Sequence, residues 1–361
     1  MKSKTRFFNL LVFIFAALAV CFDVSSLPAF QLEPSFNEVF GQAPPRPAAD
    51  IEALLGRYEN INDARDSFIA LEDSKVLKIL RDGKYYNLSK INGMRYSAGD
   101  SLPGGIRSVE FYAPVRSARF HCEVNGTLYK QLVYGSENGG TYKIKPLKPI
   151  GELKRAALSA GPPREADATC ESELVDLKSL GGNLIFDIRY ATENNFMGAK
   201  FYDSPGAFLQ KPAAYGLLYV ARALERHGLA MIVYDAYRPW YVTKMFYDAT
   251  PDAQKNFVAD PSKGSRHNRG TAVDVGLYDL KTGKLIEMGS GYDEFSERAS
   301  PKFEGATSNA RWHRKLLERY MNKAGFTVYE DEWWHFDYKL GIVKYPLMNE
   351  TFEKLTAGKI K

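Results

Sequence analysis

The chain has 361 residues, which at about 150 residues per domain implies two domains. With 45% hydrophobic and 25% charged residues, it has a globular composition and is not a wholly disordered, collagenous or coiled-coil protein. The 48 Lys and Arg against 43 Asp and Glu leave a net charge of +5 without a basic block, so no nucleic-acid partner is implied, and three cysteines are too few for a disulfide-built scaffold.

At the N-terminus, Lys2, Lys4 and Arg6 precede an apolar run over residues 7–22, the pattern of a secretory signal. Its 16 residues fall short of the roughly 20 of a membrane span. Small residues at Ser26 and Ala29 offer cleavage points, and Leu18-Ala-Val-Cys21 resembles a lipoprotein box except that Val20 is large. Residues 1–31 are therefore expected to be a signal peptide or, uncleaved, a membrane anchor, and the membrane is touched only through this segment. The protein is expected to be exported to the periplasm or cell envelope. Export allows a Cys122–Cys170 disulfide, with two buried free thiols as the alternative.

Residues 31–49, with Pro34, Pro44, Pro45 and Pro47, read as an extended lead-in. Over 50–155 short alternating segments such as 76–80, 85–88 and 108–112 are punctuated by Asp82-Gly83, Asn92-Gly93, Asn125-Gly126 and Gly139-Gly140. This predicts a small antiparallel β domain, a sheet or partial barrel, in which His121 is a strand residue and no ligand cluster occurs. The Pro/Gly/Ala stretch 158–165 reads as a linker.

Beyond it the pattern is α+β. Leu217, Val220, Ala221 and Leu224 mark a helix stopped near Gly228, residues 230–234 a buried strand, and 271–277 a second strand. Trp312, Leu316, Leu317 and Tyr320 mark a further helix closed near Gly325. His227, at a helix end, and His313, on a helix between Arg311 and Arg314, read as packed or exposed residues rather than ligands.

Chemistry concentrates in Ser265-Arg-His267-Asn-Arg-Gly270-Thr-Ala272-Val-Asp274 and in Glu332-Trp-Trp-His335. Two imidazoles and a carboxylate, His267, His335 and Asp274, form a plausible three-ligand zinc site with the fourth position left for water. Gly270 lets the chain turn between His267 and the strand carrying Asp274. Glu332 is the natural general base beside such a site. A purely structural zinc module is the rival reading, but it has no use for an adjacent base. Trp333 and Trp334 either limit water access and stiffen a turn or simply pack in the core.

These residues resemble the D-alanyl-D-alanine dipeptidases of the vancomycin-resistance type, in the zinc D-Ala-D-Ala peptidase family related to the hedgehog fold. The likeness is spread over Glu173-Leu-Val-Asp-Leu177, Tyr190-Ala-Thr-Glu-Asn-Asn-Phe196, Tyr234-Asp-Ala-Tyr-Arg-Pro239, Met288-Gly-Ser290, Tyr292-Asp293 and the two motifs above, about residues 172–345. It implies a hedgehog-like zinc peptidase domain over 168–348, preceded by the small β domain. It also implies one Zn2+ per chain on His267, Asp274 and His335, Glu332 as base and Arg238 stabilising the tetrahedral intermediate. A guanidinium suits that last task, being always charged and rich in donors, whereas its bland role is an ion pair with Asp235. Asp293 and Ser265 are implied at the free amino end of a D-amino-acid dipeptide. The implied reaction is hydrolysis of D-Ala-D-Ala. The alternative is D,D-carboxypeptidase action on peptidoglycan stem peptides, which export would bring within reach.

Overall fold

The computed structural model describes residues 42–98, 108–114, 119–165, 168, 170–339 and 344–357. The expected signal or anchor over 1–31 lies outside the described residues. A single helical turn, α1 (Ala49–Glu52), leads into nine strands, several of which alternate between core and solvent while Ser89–Asn92 is exposed along its whole length. These are β1 (Gly56–Asn60), β2 (Ser67–Asp73), β3 (Val76–Arg81), β4 (Lys84–Asn87), β5 (Ser89–Asn92), β6 (Arg95–Ser97), β7 (Val109–Tyr112), β8 (His121–Val124) and β9 (Thr127–Gln131).

All neighbours in this sheet are antiparallel, in the order β4-β3-β2-β1-β9-β8-β7-β6-β5. The two outermost strands, β4 and β5, are joined through Leu88 alone, so the sheet curls until its edges meet at that corner. Tyr58, Phe68, Phe111 and Tyr129 fill its inner face, with Tyr58 stacked on Phe68 at 5.1 Å between centroids. Cys122 is a free thiol packed into this core from β8, so the Cys122–Cys170 disulfide that the sequence allowed does not form.

A second, larger core begins before the stretch that reads as a linker. Helix α2 (Ile150–Ala160) buries Leu153 and Ala157 in it, with Tyr142 and Ile144 packed alongside. The apolar stripe of this helix has nowhere else to go, and it docks on the later helix α4. Glu165, in the expected linker, is tied to the guanidinium of Arg269 at 2.6 Å.

The remaining elements are β10 (Leu174–Asp176), β11 (Leu184–Phe186), β12 (Phe208–Gln210), α3 (Lys211–Glu225), β13 (Leu229–Asp235), α4 (Trp240–Ala249), β14 (Ala272–Asp279), β15 (Lys284–Leu285), α5 (Ser308–Lys323), β16 (Phe326–Tyr329), β17 (Glu332–Tyr338) and α6 (Phe352–Ala357). Six strands form one sheet, β11-β13-β14-β17-β16, with β15 beside the far end of β14. Within it only the β11–β13 pair is parallel. Helices α3 and α5 pack on one another, and α3 also covers β13. The result is a mixed α/β protein with a large antiparallel sheet.

The two sheets meet at the start of α5. Glu72 on β2 is fully buried, and its Oε2 accepts the backbone N–H of Ser308 at 2.7 Å. An acid at a helix N-terminus offsets the positive end of the helix dipole. Ile69, from the same strand, packs against Phe303, Ala306 and Ala310.

Candidate metal centre and active site

His267 opens a 3-10 turn (His267–Arg269) that Gly270 closes with φ of +66°. The positive φ favours glycine at this position, and a side chain here would also make Leu174 Cδ2, 2.6 Å from the added Cβ, move aside. The turn buries His267 and sets its Nδ1 at 2.6 Å from the carbonyl oxygen of Ala236. Since a carbonyl can only accept, Nδ1 carries the proton and Nε2 presents a lone pair.

Asp274 and His335 face each other across the β14–β17 ladder, in direct register. Opposed side chains of an antiparallel pair are close neighbours. Here His335 Nδ1 lies 3.1 Å from Asp274 Oδ1. His267 Nε2 lies 3.3 Å from the same oxygen and 3.1 Å from His335 Nδ1. The outer nitrogen of His335, Nε2, is 3.2 Å from Asp337 Oδ1, a carboxylate that fixes the ring with Nδ1 turned inward as an acceptor.

Three acceptors thus converge on one point. Atoms about 2.0–2.2 Å from a tetrahedral zinc stand about 3.3–3.5 Å apart, close to the separations found. Burial disfavours charge on His335, yet Asp274 and Asp337 hold its pKa well above the usual value, so a metal that takes the Nδ1 lone pair must first displace a proton from it. Burial likewise opposes ionisation of Asp274, but His267 and His335 keep it far below the ordinary carboxylate range. The pocket favours positive charge.

Residues three apart on a regular strand point to opposite faces. Glu332 nevertheless shares the cleft with His335, its Oε2 3.7 Å from Nδ1. The reason is an irregularity in β17: Val328 pairs with Phe336, but the next residue, Tyr329, pairs with Glu332. The extra residues bulge and re-aim the chain. They also let both Trp333 and Trp334 pack inward, with Trp333 Nε1 donating to Ser290 Oγ at 2.9 Å. The tryptophans therefore lie on a strand rather than in the expected turn. Desolvation in the cleft pushes the Glu332 carboxyl up to about 7, against the pull of His335.

Arg238 stands just before Pro239, the extended residue that caps the start of α4, and lines the cleft. Its Nε donates to Asp235 Oδ2 at 2.8 Å, and its guanidinium lies 4.9 Å from the Phe246 ring centroid and 5.2 Å from that of Tyr190. One terminal nitrogen is 3.8 Å from Asp274 Oδ2. The ion pair with Asp235 and a place beside the centre thus coexist.

Asp293 is buried in the left-handed region at φ +58°, and Tyr190 donates to its Oδ2 at 2.8 Å. Burial first, then the nearby Asp274 and Glu332 carboxylates, push Asp293 well above the ordinary carboxylate range. Tyr292 donates to Asp274 Oδ2 at 2.9 Å, and its hydroxyl lies 3.2 Å from that of Tyr190. Ser265 Oγ accepts the His267 backbone N–H at 3.2 Å.

A cavity of about 480 Å³ opens over the centre, and all seven residues singled out from the sequence line it: Arg238, Ser265, His267, Asp274, Asp293, Glu332 and His335. Sequence reading missed Asp337, although its i+2 spacing from His335 on a strand was the available signal. It also passed over the two tyrosine hydroxyls that link Asp274 towards Asp293.

A family model described as D-ala-D-ala dipeptidase matches residues 170–353. The D-alanyl-D-alanine dipeptidase of Escherichia coli (strain K12) is 35% identical over 181 residues, covering 50% of this chain and 92% of that protein. The D-alanyl-D-alanine dipeptidase of Enterococcus faecium is 30% identical, covering 42% of this chain and 84% of its own. Among solved structures, the LdcB LD-carboxypeptidase covers 55% of this chain and 76% of its own at 18% identity and a TM-score of 0.29, too low to carry an inference. With the family match spanning the segment that holds every one of the seven cleft residues, the chain belongs to the D-Ala-D-Ala dipeptidase family and is a peptidase.

Proposed function

We propose that the protein hydrolyses D-alanyl-D-alanine, or a closely similar dipeptide, to free amino acids with one zinc ion held by His267, Asp274 and His335. The observation that carries this reading is the convergence of three acceptor atoms separated by 3.1–3.3 Å, with the Glu332 carboxyl 3.7 Å from one of them. A bound zinc supplies Lewis acidity, drawing the pKa of water from about 15.7 toward about 7.

The chain's own residues do the rest. Glu332 takes a proton from the attacking water and returns it to the departing amine. Arg238, already oriented by Asp235, directs its remaining donors at the oxygen on which negative charge develops. Asp293 pairs with the substrate ammonium, with Ser265 beside it, and a substrate without a free amine there leaves a buried acid unmatched. The curled nine-stranded sheet is an accessory domain preceding a hedgehog-like peptidase domain, and the charged-then-apolar segment over 1–31 exports both to the cell envelope.

Purified protein assayed on D-Ala-D-Ala beside a pentapeptide stem tests the assignment. Dipeptide cleavage, reduced about 10²–10⁴-fold in Glu332→Gln without loss of zinc, is expected. Cleavage of the pentapeptide alone would replace this reading by the D,D-carboxypeptidase one.

A further inference from the structure

The segment that carries Asp293 is not held by the peptidase portion alone. Residues 289–300 run along the rim of the cleft, and Asp293, Phe295, Ser296 and Glu297 face it. Their partners come from far upstream, outside the 170–353 family match. Arg57 on β1 grips Glu297 with a two-pronged pair, Nη2 donating to Oε2 at 2.6 Å and Nε to Oε1. The same guanidinium reaches Ser67 on β2 at 3.0 Å, which anchors it to the sheet.

A second clamp comes from the turn that leaves the sheet. Ser136 is buried, accepts the backbone N–H of Gly291 at 3.1 Å and bonds the buried Glu294 carboxylate. A side chain at Gly291 would meet Ser136 Cβ at 2.7 Å, so this glycine marks a direct approach between the two segments. Glu137 pairs with Arg298, whose guanidinium also lies 5.6 Å from the Tyr134 ring centroid. Glu137 is itself set by the backbone N–H groups of Tyr134 and Gly135 at 2.8 and 2.7 Å.

Asp293 sits between these clamps and the peptidase core. Before it, Tyr292 stacks on Tyr234 at 4.7 Å. After it, Glu294 is seized by Ser136. Asp293 lies in the left-handed region, a conformation of some cost that surrounding contacts on both flanks help to hold. One flank belongs to the upstream part of the chain.

We infer that the nine-stranded sheet and the turn behind it brace the 289–300 loop and so position the Asp293 carboxylate at the amino end of the substrate. Arg57, Ser136 and Glu137 are positioning residues for dipeptide recognition. The substrate half of this statement rests on the proposed function; the brace itself does not.

The test uses the full chain with Arg57→Ala and, as a milder variant, Glu137→Gln. Hydrogen exchange is followed over residues 291–300, and kcat and KM are measured separately on D-Ala-D-Ala. Both variants are expected to speed exchange of this loop at least tenfold. They are also expected to raise KM five- to tenfold with kcat within twofold. Exchanging the charges, Arg57→Glu with Glu297→Arg, should restore part of the KM, and in an Asp293→Asn background Arg57→Ala should raise KM no further. Unchanged loop exchange in both variants, or a KM rise that persists in the Asp293→Asn background, overturns the inference. Parent protein inactive on D-Ala-D-Ala would refute the proposed function, while the exchange result still decides the brace.

Discussion

Removing the Asp337 carboxylate should loosen zinc without disturbing the ligands themselves. Asp337 Oδ1 lies 3.2 Å from His335 Nε2 and holds the proton on the outer nitrogen, leaving Nδ1 free to bind. Without that acceptor the ring can protonate Nδ1 or rotate, and both compete with the metal. Loss of such a partner weakens metal affinity about 10–100-fold, or about 1.4–2.7 kcal/mol. The Asp337 side chain is 29% exposed, so water can replace it, which favours the lower end of that range. Its backbone pairing with Ala272 and Thr327 survives truncation, so β17 should stay in register. The assay is competition of Asp337→Ala against a chelator of known zinc affinity, with midpoint of unfolding as a control. An affinity within twofold of the parent would refute the orienting role.

Three further outcomes follow from the same geometry. Arg238→Lys keeps the charge but not the fork that holds Asp235 while presenting other donors, so kcat should fall about 10²–10³-fold; a loss under threefold contradicts the oxyanion role. Burial, with Asp274 and Glu332 adding to it, raises the Asp293 pKa, so its ionisation costs the folded state progressively more as pH rises above the usual value of 3.8. Asp293→Asn should therefore raise Tm more at pH 8 than at pH 5 while raising KM, and an equal Tm shift at both pH values would count against it. Gly270→Ala adds a left-handed alanine and makes the Leu174 side chain shift, and should cost about 1–2 kcal/mol in urea unfolding; an unchanged midpoint sinks this reading of the turn.

His267, Asp274, His335 and Glu332 could be read from the sequence because they stand in short motifs whose chemistry is local, whereas Arg238, Asp293 and Ser265 came into view only through the family resemblance. How they meet could not. Glu332 and His335 share a face only through the irregular pairing of β16 with β17, which depends on the partner strand. Helix α4 lacked a period to detect: Trp240, Tyr241, Val242, Thr243, Met245, Phe246 and Ala249 are all buried, so the helix is apolar on most sides. Strands such as β3 and β14 lay within reach of alternation and β-branched runs. The contacts of Arg57 and Ser136 join segments more than 150 residues apart, and no local pattern announces them.

The most direct measurement is bound zinc per chain, taken together with D-Ala-D-Ala hydrolysis, in the parent and in His267→Ala and His335→Ala. One zinc per chain is expected in the parent, with activity lost on chelation, regained on adding zinc back, and absent from both variants. Full turnover by metal-free parent, or stoichiometric zinc retained with both imidazoles removed, would contradict a shared centre.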